Sequence, residues 1–153
     1  MRIILCDDDT QFMQSFSKQL FSILQKHGVI PKVILTHTGL DALREITHQP
    51  TDVLFLDIDM PQDGFSVATE LTAMENKPLI IFLSSLDHLV YQSFAFQPFW
   101  FLRKSHLEDL PTIIEKLLHL LSSQQIQYTI NVNGNNISIS LSDISYFESD
   151  GHY

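Results

Sequence analysis

Asp52-Val53-Leu54-Phe55-Leu56-Asp57-Ile58-Asp59-Met60-Pro61 is an apolar run, rich in β-formers, that stops at a carboxylate. A short apolar run bounded by a turn signal predicts a strand buried on both faces. The turn signal here is Met60-Pro61-Gln62-Asp63-Gly64. Asp57 therefore stands where a buried strand reaches the surface. In an open parallel sheet, that is the edge at which ligands bind.

The flanking sequence repeats the unit. Arg2 to Cys6 is a second apolar run, ended by Asp7-Asp8-Asp9. Asp9 or Thr10 is placed to cap the next helix. Its apolar residues Met13, Phe16, Leu20 and Leu24 recur at helical spacing, and His27-Gly28 ends it. Lys32 to Thr36 is β-like, and a helix after Thr38-Gly39 carries Leu40, Leu43 and Ile46. Beyond Asp57, Gly64 to Met74 predicts a helix, and Leu79 to Leu83 a strand ending at Ser84-Ser85. Leu86 to Phe96 predicts a further helix, and Phe99 to Leu102 a strand ending at Arg103-Lys104. A last helix, starting between Ser105 and Pro111, carries Leu110, Ile113, Leu117 and Leu120 and runs to about Ser123. Five β-α units predict an α/β doubly wound parallel sheet. Right-handed crossovers bring every strand's C-terminal end to one edge. Asp7, Asp8, Asp57, Ser84 and Lys104 collect there.

Composition narrows the functions. The 153 residues are 44% hydrophobic, enough for a core, and the net charge is -9. Nucleic-acid binding by this chain is not expected, since phosphate contacts need clustered Lys and Arg. No apolar run approaches the ~20 residues that span a bilayer, so no membrane partner is expected. A single cysteine, Cys6, and no leader-like start predict a cytoplasmic protein. Its neighbourhood of acids favours a buried structural thiol over a redox sensor. The seven histidines show no zinc-type spacing. The run Phe94 to Phe101 has too many aromatics for one core face of a strand, so core and partner surface both fit it.

Three carboxylates in one place repel one another, and a divalent cation removes that penalty. Oxygen ligands of this kind suit Mg²⁺. Lys104 and Ser84 are then placed to meet a phosphoryl group, with Asp57 as nucleophile. At this point the chain resembles a known family. Cys6-Asp7-Asp8-Asp9, the run Asp57 to Gly64, Ser84 and Lys104, each after an apolar strand, resemble the receiver domain of two-component response regulators over residues 1 to about 122. The resemblance implies a flavodoxin-like fold with strand order 2-1-3-4-5 and Asp57 as phosphoacceptor. It implies Mg²⁺ held by Asp7, Asp8, Asp57 and the backbone carbonyl of Asp59, with Ser84 and Phe101 as switch residues. Ser85, beside Ser84, is equally small and polar, and Asp9 could replace one of the acidic pair. Ser105 stands where the family usually has proline; a non-proline cis bond costs about 3 kcal/mol, so a trans bond is expected.

After Ser123 the pattern changes. Tyr128, Ile130 and Val132, then Ile137, Ile139 and Leu141, alternate about Asn133-Gly134, a hairpin signature. With Leu141 to Ile144 and Tyr146 to Tyr153, this tail resembles the opening of a LytTR-type DNA-binding domain. The resemblance implies domains at 1–122 (receiver), 123–127 (linker) and 128–153 (the N-terminal part of the reader). It further implies a sensor histidine kinase as donor, homodimerisation on phosphorylation, and DNA bound through the full-length output domain. The start of the chain and the Lys104-Ser105 pair also fit the quorum-sensing regulators of Gram-positive bacteria. Two rivals remain. Leu56-Asp57-Ile58-Asp59 resembles the nucleophile motif of haloacid-dehalogenase-like phosphatases, although Pro61 follows it and no acidic pair follows Lys104. The other rival is a pseudo-receiver that binds partners without phosphorylation.

Overall fold

The computed structural model describes the backbone of residues 1–61, 63–124, 127–132 and 135–140. Strands β1 (Arg2–Cys6), β2 (Lys32–Thr36), β3 (Val53–Asp57), β4 (Leu79–Ser84) and β5 (Trp100–Arg103) form one sheet in the order β2-β1-β3-β4-β5. Every pairing in it is parallel. Helices α1 (Thr10–Lys26), α2 (Gly39–His48), α3 (Gly64–Thr72), α4 (Val90–Ser93) and α5 (Leu110–Gln124) fill the crossovers and follow the sheet. This is the doubly wound fold expected from the sequence.

β1 and β3 are buried along their whole length. Their alternate side chains serve two cores, as the pleat requires. Ile4, Cys6, Leu54, Leu56 and Phe82 pack with Ala42, Leu43 and Ile46 of α2 and Val67, Ala68 and Leu71 of α3. On the opposite face Phe55 meets Phe16 of α1 edge-on, at 5.3 Å between ring centroids. Burying a side chain of this size stabilises the fold by about 2–3 kcal/mol. Met13, Phe16, Leu20, Ile23 and Leu24 form the buried stripe of α1. Its N-cap is Asp9, whose carboxylate accepts from the N–H groups of Gln11 and Phe12, both at 2.9 Å. That bond spends Asp9 on the helix rather than on the acidic pair.

The register fixes the site edge. Cys6 lies opposite Leu56, Asp57 opposite Leu83, and Ser84 opposite Arg103. The ladder continues one step past the strands, with Asp7 N–H donating to Thr36 O (3.1 Å) and Lys104 N–H to Ser84 O (2.9 Å). The opposite edge is tied by Arg2, which pairs with Glu45 at 2.5 Å and also donates to Thr51 and to Gln49 O.

The helix expected over about Leu86 to Phe96 is found as a continuous helical run over 87–96, but not as a regular α-helix. It is a 3-10 turn at Asp87–Leu89, four α-helical residues, and a second 3-10 turn at Phe94–Phe96. No side chain caps its start, and only Ser93 is buried across the segment. Leu89 and Phe96 pack against the α2–α3 core only partly buried, so packing does little to enforce a regular α-helix over the whole run. Gln97 then closes the segment in the left-handed region, at φ 48°.

The chain divides into two compact units, Met1–Ile113 and Ile114–Tyr153. In the second, β6 (Gln127–Val132) and β7 (Asn135–Ser140) pair antiparallel, with Tyr128 opposite Ile139. The turn expected at Asn133-Gly134 and the tail from 141 to 153 lie outside the described residues.

Candidate functional site

Asp57 ends β3, and its side chain is buried. Its Oδ1 accepts from the Asp59 N–H at 3.1 Å, a local turn that orients the carboxylate. Its Oδ2 accepts from Lys104 Nζ at 2.8 Å. Lys104 follows β5, so its long side chain crosses over the end of β4 to reach β3. The same ammonium lies 2.8 Å from Asp7 Oδ2 on the far side of Asp57. That second contact is an ion pair without hydrogen-bond alignment, so the buried Asp7 Oδ2 has no donor. Asp7 Oδ1 accepts from the Asp9 N–H at 2.9 Å.

Asp8 completes the cluster. One carboxylate oxygen each from Asp7, Asp8 and Asp57 lies within 4.8 Å of the others, with Asp7 and Asp57 buried and Asp8 exposed. A hard divalent cation takes oxygen ligands and keeps several waters. The donor set fits such an ion on two counts. It is all carboxylate, and it includes one buried oxygen that no hydrogen bond satisfies. The electrostatics agree. Burial pushes the Asp7 carboxyl above its ordinary range, against the pull of Lys104 and the Asp9 N–H. Burial alone would lower Lys104, but the hydrogen bond to Asp57 and the charges of Asp57 and Asp7 outweigh it and raise it.

Ser84 is fully buried at the end of β4, and its hydroxyl accepts from the Leu86 N–H at 2.9 Å. Ser85 is exposed. The structure therefore separates two serines of like size and polarity, of which the sequence favoured Ser84 for its place directly after the apolar run. Phe101 is half-buried against the α2–α3 core. The Lys104–Ser105 bond is trans, since none of the described peptide bonds is cis. Lys104 reaches both carboxylates without the family's proline. The aromatic run also divides. Phe96 stacks on Phe65 at 5.2 Å, whereas Tyr91 and Phe94 are 79% and 62% exposed.

Two residues at the site were not singled out from the sequence. The Phe12 ring centroid lies 4.7 Å from Lys104 Nζ. Phe12 stands one position off the buried stripe of α1, so periodicity alone passes over it. Gly64 was read as the end of a turn, the start of a helix and the last residue of the receiver-like run, with no packing role assigned to it. In the structure, a Cβ there would overlap the Asp57 carbonyl oxygen and come within 2.9 Å of Ile58 Cα. The backbone of α3 thus packs directly on the strand end that carries Asp57.

Cys6 is buried, with its thiol 3.8 Å from Met60 Sδ. Its thiol is pushed up to about 11, first by burial and then by the charges of Asp7, Asp57 and Asp41, against a hydrogen bond from Thr36. The thiolate is the reactive form. Iodoacetamide at pH 8 is therefore expected to label the chain in guanidinium and to leave the native protein unlabelled over the same time. Rapid labelling of the native protein would contradict the buried structural role.

A doubly wound sheet of order 2-1-3-4-5 binds ligands outside the carboxyl ends of its strands, and that edge here carries an acidic cluster and a lysine. Residues 3–117 match the response regulator receiver domain, and the chain belongs to that family. Among curated proteins, the transcriptional regulatory protein YpdB of Escherichia coli (strain K12) is 27% identical over 131 residues, covering 84% of this chain and 52% of its own length. The sensory transduction protein LytT of Bacillus cereus is 28% identical over 102 residues, 66% of this chain and 42% of its own. The chain thus spans about half the length of these relatives. Among solved structures, the response regulatory domain of protein MrkE from Klebsiella pneumoniae superposes with a TM-score of 0.68 at 23% identity, covering 81% of this chain and 100% of its own. The response regulator TrrA from Thermotoga maritima, solved in complex with Mg²⁺-BeF, gives 0.64 at 24%, covering 76% and 97%. These likenesses support the receiver fold. Among the described residues, no helix is long and apolar enough to cross a membrane.

Proposed function

We propose that the chain is the phosphoryl-accepting part of a cytoplasmic two-component transcriptional regulator, with Asp57 as acceptor. The observation that carries this reading is the Lys104 ammonium, 2.8 Å from the Asp57 carboxylate, beside the two further acids of the cluster. A sensor histidine kinase is the donor. The Asp57 oxygen forms a bond to phosphorus as the nitrogen–phosphorus bond of the kinase phosphohistidine breaks, and the electron pair stays on the imidazole. Asp7, Asp8, Asp57 and the Asp59 carbonyl hold Mg²⁺, which offsets the carboxylate charge that would otherwise repel a phosphate. Lys104 and the Ser84 hydroxyl receive phosphoryl oxygens, a charge-stabilising role. Ser84 then moves inward and Phe101 follows, which shifts the population toward a dimerising form.

The output reading is that residues 1–122 form the receiver, 123–127 a linker, and 128–153 the beginning of a LytTR-type domain that binds DNA in the full-length protein. The relatives named as transcriptional regulatory and sensory transduction proteins support it. The receiver acts as a switch and not as a turnover enzyme, with at most self-phosphorylation and self-dephosphorylation.

Acetyl phosphate with Mg²⁺ followed by intact mass tests the reading. One phosphate is expected on the wild type and none on Asp57→Ala. Turnover of a general phosphatase substrate, lost in Asp57→Ala and in Asp59→Ala, would favour the dehalogenase-like hydrolase instead. Neither labelling nor turnover would leave a phosphorylation-independent binding module.

A further inference from the structure

We propose that Phe12 is a positioning residue, whose ring face holds the Lys104 ammonium over the acidic cluster while Asp57 exchanges its charge partner. The proposal rests on the reading of Asp57 as phosphoryl acceptor. An ammonium carries three N–H donors and no acceptor. Lys104 turns toward two carboxylates, at 2.8 Å each. The Phe12 ring lies 4.7 Å from Nζ, within cation–π reach.

The ring is itself held. The Phe12 N–H donates to the Asp9 cap at 2.9 Å, which fixes its backbone. Its ring stacks on Phe16 at 5.4 Å and 21°. Phe16 meets Phe55 at 5.3 Å and 70°, and both are fully buried. Phe55 belongs to β3, the strand that ends at Asp57. Lys104 is therefore referenced to β3 by two routes. One is the direct pair with Asp57, and the other runs through Phe55, Phe16 and Phe12. A phosphoryl group arriving at Asp57 displaces the first route, because the ammonium must turn from the carboxylate to a phosphoryl oxygen. The second route survives that exchange. The ring offers the cation a favourable face without competing for its hydrogen bonds.

The test is the rate of phosphate incorporation from acetyl phosphate and Mg²⁺ across a series at position 12. Phe12→Tyr is expected to match the wild type, and Phe12→Leu to be slower by about fivefold, the scale of a partly desolvated cation–π contact. Phenylalanines carrying one, two or three ring fluorines keep the ring's shape and weaken its negative face. They should slow incorporation in graded order, with unchanged melting temperature. A purely steric ring would give no gradation, so a flat fluorine series overturns the proposal. If Phe12→Leu fails to fold, the fluorine series decides alone. A wild type that takes no phosphate overturns the acceptor reading, and the inference falls with it. A labelled wild type with a flat series overturns the role of Phe12 only.

Discussion

Lys104→Met is expected to slow phosphate incorporation at Asp57 by about a hundredfold, the usual scale for loss of a preorganised charge-stabilising donor. It is also expected to destabilise the metal-free protein at pH 7 by about 2–4 kcal/mol, since it leaves two buried carboxylates without their cation. The two effects have distinct signatures. The stability loss should be largely restored by millimolar Mg²⁺, which supplies the missing charge, whereas the incorporation rate should stay low. The pH dependence has a definite sign. In the wild type Lys104 is raised above 10.5, so its stabilisation is complete below pH 10.5 and is lost as pH rises through its folded value. Asp7 is raised above 3.8, so the native state holds that proton more firmly than the unfolded chain, and stability falls as pH climbs from 3.8 through the folded value. Removing the ammonium deepens that second effect. Urea unfolding in chelator should therefore show the variant gaining stability more steeply than the wild type as pH falls through the folded Asp7 value. A variant as stable as the wild type at pH 7 without metal would contradict the charge account.

Gly64→Ala is expected to destabilise the fold by about 3 kcal/mol and to suppress phosphate incorporation along with it. Helix propensity alone predicts the opposite sign, since alanine in a helix is favoured over glycine by about 1 kcal/mol. The packing decides. The added Cβ would overlap the Asp57 carbonyl oxygen and lie 2.9 Å from Ile58 Cα and 3.1 Å from Asp57 C. All of these are backbone atoms, so no side-chain rotation relieves the clash. Overpacking of this kind costs about 1–3 kcal/mol, and the rigid partner places the change at the upper end. The loop from Asp57 to Gly64 must move, and it carries the Asp59 N–H that orients Asp57. Denaturant midpoint and acetyl phosphate labelling measured together check this. An unchanged midpoint would show that α3 can move off the strand without cost.

The sheet was legible because each strand is an apolar run with an abrupt polar end. Arg2–Cys6 and Lys32–Thr36 follow directly from that rule. The meeting of Asp7, Asp57 and Lys104 was legible from topology, since parallel strands deliver their ends to one edge. The choice of Ser84 over Ser85 rested on its place directly after the apolar run, and burial separates the two. The segment 87–96 was legible as helix, but its 3-10 ends were not, because no side-chain cap and no fully buried apolar stripe selects one helical geometry there. Phe12 and the reason for Gly64 were out of reach for a different cause. Each depends on a close approach between elements distant in sequence, and neither leaves a periodic trace. Asp9 was recognised as a cap, but its hold on Phe12 only has meaning once Lys104 is in place.

The central claim is that the chain carries its phosphoryl group on the side chain of Asp57. Borohydride reduces an acyl phosphate to the alcohol, so a phosphorylated aspartate is read out as homoserine. After treatment with acetyl phosphate, Mg²⁺ and borohydride, peptide mass mapping should find homoserine at position 57 alone. Conversion at Asp7, Asp8 or Asp59 in its place, or no conversion in a natively folded sample, would contradict the account.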